Sequence, residues 1–275
     1  MTPSRKSRIA AALFTLALAG ASWAESPSQA TESKEFVPTV GQAGKDVIWV
    51  PTPQALVDKM LDMAKLTPQD TLVDLGSGDG RTVITAAKRG ARARGIEYNP
   101  DMVALSRSAA LQAGVADRAV FEQADIFESD FSDATVVTLF LLPNLNLKLR
   151  PTLLDMAPGT RVVSNSFTMG DWEPDESAEA EGCASYCTAY KWVVPAKVEG
   201  TWALPHGRLV LTQNYQFVEG TLTRGGDTVS VTDGRLDGTT LRFKAGDTEY
   251  SATVNGKQMQ GTVNGQAEWS ANLQG

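Results

Sequence analysis

The segment Val73-Asp74-Leu75-Gly76-Ser77-Gly78-Asp79-Gly80 sets a carboxylate just ahead of three glycines at alternate positions. Residues without Cβ let a ligand lie directly against the main chain. A glycine-rich turn alone is weakly informative, because dinucleotides, S-adenosylmethionine (SAM) and plain tight turns all use one. Dinucleotide sites pair Gly-x-Gly-x-x-Gly with an open helix N-terminus that takes a pyrophosphate. Here the spacing is Gly-x-Gly-x-Gly, and Asp74 stands two residues before the first glycine. SAM has no phosphate. Its α-amine and its sulfonium are both positive, so Asp74 can accept a hydrogen bond from the amine, directly or through water. The segment reads as a SAM site in which Asp74, Gly76, Ser77, Gly78 and Gly80 meet the ligand.

Two more acids fall where strands should end. Glu97, followed by Tyr98, closes the second expected strand, and a carboxylate there can grip both ribose hydroxyls. Asp125 follows the third strand and can accept from the adenine amine, with Ile126 and Phe127 placed to pack the ring. Methyl transfer from a sulfonium is an in-line displacement, so the protein must position the acceptor, exclude water and receive it deprotonated. No metal is needed. The acceptor side is less explicit. Many amino-group methyltransferases carry Asp/Asn-Pro-Pro-Tyr/Phe after strand four, where this chain has Thr138-Leu-Phe-Leu-Leu-Pro-Asn144. Asn144 either holds the acceptor amine or caps a helix, and Phe140 is placed to face the methyl group.

Positioning these groups takes alternating strands and helices. Thr52-Pro53 is a helix start, and Leu56, Val57, Met60, Leu61 and Ala64 follow at helical spacing over residues 53–65. Strands are expected at Thr71–Leu75, Ala93–Glu97, Ala119–Ala124, Thr135–Phe140 and Arg161–Ser164. Helices are expected at Asp79–Lys88, after Asn99-Pro100, and at Leu145–Met156. Repeated β-α-β units predict an α/β, doubly wound, Rossmann-like parallel sheet. After residue 205 helical periodicity stops. Short alternating runs separated by Asp-Gly and Asn-Gly turns predict a β-meander of six or seven strands over 206–275, rolled into a small barrel or sandwich.

The remaining features concern setting. Arg5, Lys6 and Arg8, the apolar run Ile9–Gly20 and Ser22-Trp23-Ala24 form a secretory signal pattern with cleavage expected after Ala24, hence a periplasmic or secreted protein. The run is too short for a comfortable membrane span. Residues 25–45 are expected to be a flexible arm and 46–205 the SAM-binding domain. A net charge of −7 gives no evident nucleic-acid patch. Cys183 and Cys187 are the only cysteines, and an oxidising compartment favours a bridge, which demands a turn between them. With His206 they are too few for a closed zinc site. The acidic run Asp171–Glu181 is either a solvated loop or a lip attracting a basic substrate.

Residues 48–176 resemble the small lysine methyltransferases that act on the c-subunit of ATP synthase, with their bacterial relatives, a group of class I SAM-dependent methyltransferases. The resemblance rests on Val50-Pro51-Thr52-Pro53, Asp74–Arg81, Glu97, Leu145-x-x-Lys148-Leu149-x-x-x-Leu153 and Pro158–Ser164, and continues through Phe167 and Trp172. It implies Thr52 over the carboxylate end of SAM, Trp172 near the substrate mouth and lysine as acceptor. The signal pattern and the C-terminal β-domain depart from that group. Three readings stay open: methylation of a lysine or other amine of an envelope protein, methylation of a small molecule or lipid, and a SAM-fold binding protein without catalysis.

Overall fold

Along the strands of the N-terminal sheet, apolar side chains alternate between two cores. Leu72, Val136 and Val163 join one, and Val73, Leu75, Val137, Leu139 and Val162 join the other. Both faces of the sheet must therefore be covered, which is what the near-continuous apolar strands required. The structure, a computed structural model, describes residues 36–274; the expected signal segment lies outside the described residues.

Strands β1 (Thr71–Leu75), β2 (Arg92–Glu97), β3 (Ala119–Gln123), β4 (Val136–Leu139) and β5 (Arg161–Asn165) run parallel in the spatial order 3-2-1-4-5. Beside β5 lies the antiparallel β7 (Thr188–Val193), and β6 (Glu176–Glu179) forms the outer edge. Helices α1 (Gln54–Met63), α2 (Arg81–Lys88) and α3 (Pro100–Gln112) pack into the core on one face, and α4 (Pro143–Leu154) into the other. Consecutive strands depart in opposite directions from β1, towards β2 on one side and β4 on the other. The strand ends at that switch point open a crevice where ligands of such sheets bind.

Asn99 caps α3 as expected, its side chain accepting from the Asp101 N–H at 2.9 Å. Thr52 does not cap α1, whose flanking residue Pro53 has no capping side chain. The Thr52 hydroxyl instead accepts from Asn165 Nδ2 at 3.2 Å.

The C-terminal unit is a closed barrel of eight antiparallel strands: β8 (Gly200–Leu204), β9 (Gly207–Asn214), β10 (Phe217–Arg224), β11 (Asp227–Asp237), β12 (Thr240–Ala245), β13 (Thr248–Asn255), β14 (Gln258–Val263) and β15 (Ala267–Leu273). The expected start at residue 206 falls inside a hairpin, because β8 pairs with β9 and also closes the ring against β15. Closure leaves no free edge, and Trp202, Phe243, Tyr250, Met259 and Trp269 fill the interior.

The acidic run is not simply solvated. Asp175 receives Arg235 of the barrel at 2.7 Å, and Asp171 receives the Tyr215 hydroxyl at 3.0 Å and an ion pair from Arg150. Glu176 pairs with Lys191. Cys183 and Cys187 are bridged across the β6–β7 connection, their Cα atoms 5.6 Å apart, so the required turn is present. Among the described residues no cluster of His, Cys, Asp and Glu could hold a metal ion, and no helix is long and apolar enough to cross a membrane.

Candidate active site

The glycine loop leaves β1 and folds back against β2. The Gly76 and Ser77 N–H groups both donate to the Ile96 carbonyl, at 2.9 and 3.1 Å. Gly78 has φ +53°, and a Cβ there would come 2.7 Å from Trp49 Nε1. Only glycine meets both conditions. The Gly78 N–H donates to Glu97 Oε2 and the Asn99 N–H to Glu97 Oε1, each at 2.9 Å. Glu97 is thus held rigidly at the tip of β2, with lone pairs remaining on both oxygens.

Asp74, Gly76, Ser77, Gly78, Glu97, Tyr98, Asp125 and Ile126 line one cavity of about 220 Å³, together with Thr52 and Phe140. Gly80 stands behind it: a Cβ there would meet the Phe121 ring at 2.7 Å. Asp74 is buried and accepts the Thr138 hydroxyl at 2.7 Å. Burial pushes its carboxyl up to about 7, against the pull of Thr138, and the nearby Asp79 and Glu97 add to the rise. A buried carboxylate with no cationic partner among the described residues fits a ligand that brings its own positive charge. Ser77 Oγ, also buried, has no hydrogen-bond partner among the described residues.

Several expected residues stand elsewhere. Trp172 is fully buried between Trp192 and Tyr215, at centroid distances of 5.9 and 6.1 Å, and does not line the cavity. Its position beside the site in sequence is overridden by the barrel, which supplies Tyr215. Asn144 lies in the first turn of α4, exposed and away from the cavity lining, and Leu142 occupies the position before the helix. Asn144 does not cap α4 and does not line the cavity. Asp125 lines the cavity, but its carboxylate takes an ion pair from Lys45 and the Phe127 N–H at 2.9 Å. Phe127 does not line the cavity, and Lys148 Nζ lies 3.6 Å from its ring centroid.

Other lining residues escaped the sequence reading. The end of the expected flexible arm is an ordered hairpin: Gly41 N–H donates to the Trp49 carbonyl, and Trp49 N–H returns to Gln42, both at 2.9 Å. It places Lys45 and Trp49 on the cavity. Tyr186, within the disulfide loop, and Phe167, after β5, face Phe140 at the mouth.

A family model described as the ANTKMT methyltransferase domain matches residues 74–176. A protein-lysine N-methyltransferase of Saccharolobus islandicus is 42% identical over 151 residues, 54% of this chain and 94% of the relative. The chain belongs to the SAM-dependent protein-lysine methyltransferase family. The mouse lysine N-methyltransferase of the ATP synthase c-subunit is 37% identical over 130 residues, 47% of this chain, and the chain spans about half that relative's length (52%). A crystal structure from Salinibacter ruber, described as an RNA methyltransferase in complex with S-adenosyl-L-homocysteine, is 52% identical. It covers 54% of this chain and 96% of its own, with a TM-score of 0.51. The protein is a class I methyltransferase, and its cofactor is SAM. The family match ends at residue 176, ahead of the disulfide loop and the barrel.

Proposed function

We propose that the protein N-methylates lysine side chains of a protein outside the cytoplasm. The observation that carries this reading is the cavity itself, which is acidic at its base, with Asp74 and Glu97, and aromatic at its mouth, with Phe140, Phe167 and Tyr186. Asp74 would receive the α-amine of SAM, Glu97 the ribose hydroxyls, and Ile126 and Tyr98 the adenine. Thr52 would lie at the carboxylate end. Asp125 would contribute through its pair with Lys45, which fixes the hairpin, rather than as a free acceptor. Bound SAM supplies an electrophilic methyl group. The chain's own part is to hold the acceptor amine in line and keep water out. Among the described residues no histidine lines the cavity; the acceptor would enter as the ammonium and lose its proton to solvent before the methyl group is transferred.

A lysine acceptor is preferred over RNA because an acidic chain with a carboxylate-lined site repels phosphate. Localisation outside the cytoplasm is supported by the signal pattern and by the Cys183–Cys187 bridge, since such bridges persist in oxidising compartments. The deciding experiment is mass spectrometry of envelope proteins from cells with and without the gene. New methyl-lysines are expected only with the gene. Their absence, with methylated RNA or a small molecule in its place, would overturn the acceptor assignment.

A further inference from the structure

Phe140 follows β4, Phe167 follows β5, and Tyr186 sits in the loop between β6 and β7, so three separate chain segments deliver three rings to one mouth. Phe140 and Tyr186 meet edge to face at 5.2 Å, and Phe140 and Phe167 lie nearly parallel at 6.1 Å. The segments that carry Phe167 and Tyr186 are also firmly placed. The Phe167 carbonyl accepts from Ser164 Oγ at 2.7 Å and from Asn146 Nδ2 at 3.2 Å, which fixes the turn after β5. Ser166, at φ +59°, donates its N–H to the Thr188 carbonyl at 2.7 Å, tying that turn to the strand that follows the disulfide loop.

Tyr186 itself has φ +55°, a region a bulky residue enters only when its surroundings enforce it. The surroundings here are two cross-links. The Ala180 N–H donates to the Cys187 carbonyl at 2.9 Å, and the Cys183–Cys187 bridge closes the loop around residues 184–186. Yet Tyr186 remains 45% exposed, so this constraint does not serve to bury an apolar side chain. It holds a ring at the rim of a cavity whose other wall carries the methyl donor's site.

We propose that Phe140, Phe167 and Tyr186 form an aromatic box for the acceptor ammonium and its methylated products, and that the disulfide positions Tyr186 as the specificity-determining third wall. Ring faces attract alkylammonium groups, and a rim of three suits a cation that grows by one methyl per turnover. This rests on the lysine reading above. It adds that acceptor recognition, unlike cofactor binding, depends on the bridge. Because the family match stops at residue 176, the third wall is a feature of this chain beyond the matched domain.

The test is an NMR titration of the full-length protein, saturated with S-adenosylhomocysteine, using Nα-acetyl-Nε-trimethyllysine amide as probe and its neutral Nε-acetyl counterpart as control. The box predicts preference for the cationic probe. Tyr186→Ala should weaken that probe at least tenfold and Tyr186→Phe less than twofold, since the ring and not the hydroxyl acts. Cys183→Ser/Cys187→Ser should weaken it as Tyr186→Ala does. S-adenosylhomocysteine affinity, which also reports folding, should stay within twofold in all three variants. Unchanged probe binding in Tyr186→Ala, or equal loss of probe and S-adenosylhomocysteine in the cysteine variant, would overturn the box. Preference for the neutral probe by the parent protein would instead overturn the lysine reading on which it rests.

Discussion

Asp74 and Thr138 lie side by side at the tips of β1 and β4, in register, and the Thr138 hydroxyl donates to Asp74 Oδ1 at 2.7 Å. That single bond does not offset burial, so the carboxyl stands at about 7. Binding of a cation to this group requires its ionised form. Affinity for S-adenosylhomocysteine, measured by calorimetry, should therefore rise about tenfold per pH unit below 7 and level off above it. A flat profile between pH 5.5 and 8 would exclude Asp74 as the amine's partner.

The same shift predicts a stability effect of opposite sense. The folded carboxyl titrates above its ordinary value of 3.8. The favourable contribution is fully present below that value and is lost as pH rises through about 7. Asp74→Asn keeps an acceptor for Thr138 without the charge. At pH 8 it should stabilise the ligand-free protein by roughly 1–3 kcal/mol while abolishing cofactor binding. A variant less stable than the parent at pH 8 would mean the acid is structural.

Asp70 shows the reverse case. It immediately precedes β1, where burial pushes its carboxyl up, but the Arg161 guanidinium with hydrogen bonds from Thr135 and Thr67 pulls harder and leaves it at about 2. Arg161 also donates to the Ala64 carbonyl at 3.0 Å, so the pair fastens the end of α1 to the sheet. With the folded value depressed, the stabilisation is present above 3.8 and lost as pH falls through 2. Asp70→Asn should cost about 2 kcal/mol at neutral pH and remove that stretch of the acid-unfolding curve, followed by circular dichroism.

How far these features could be read from sequence depends on their range. The glycine loop and the acids at 74, 97 and 125 were legible, because strand ends and turn spacing are local. That Asp125 is taken by Lys45 was not, since the partner lies 80 residues away. The barrel's β9 to β15 were legible from their alternation and Gly turns. Strand β8 was hidden because Pro205-His206 is no hairpin signature, and its partner β15 lies at the far end of the chain. Tyr186 was missed for a different reason: nothing in Cys-Ala-Ser-Tyr-Cys shows which way the closed loop faces.

Trp172 illustrates a resemblance that carried a position but not an environment. Its ring packs on Trp192 and Tyr215, and its carbonyl accepts from Trp192 Nε1 at 2.8 Å. Trp172→Ala should destabilise the fold by about 3–5 kcal/mol, as cavity formation in a packed core does. Trp172→Phe should lose less and bind S-adenosylhomocysteine as the parent does. Loss of binding by a stably folded Trp172→Phe would return the residue to the site.

The seam between sheet and barrel supplies the last test. Gly238, in the β11–β12 turn, has φ +57°, and a Cβ there would come 2.9 Å from the Gly159 Cα, backbone against backbone. Its carbonyl accepts the Ala196 N–H at 2.9 Å, on the segment that leads from the sheet into β8. Nearby, Arg235 reaches Asp175 and Tyr215 reaches Asp171. Backbone contact cannot relax as a flexible side chain does, so Gly238→Ala must either separate the two units or distort the turn. It should lower stability by roughly 1–3 kcal/mol. Because the turn is remote from the cavity lining, cofactor affinity should hold until the fold is lost. In calorimetry the parent should unfold in one transition if the seam couples sheet and barrel, and Gly238→Ala should broaden or split it. An unaltered transition in the variant would show that the Gly238–Gly159 contact does not couple sheet and barrel.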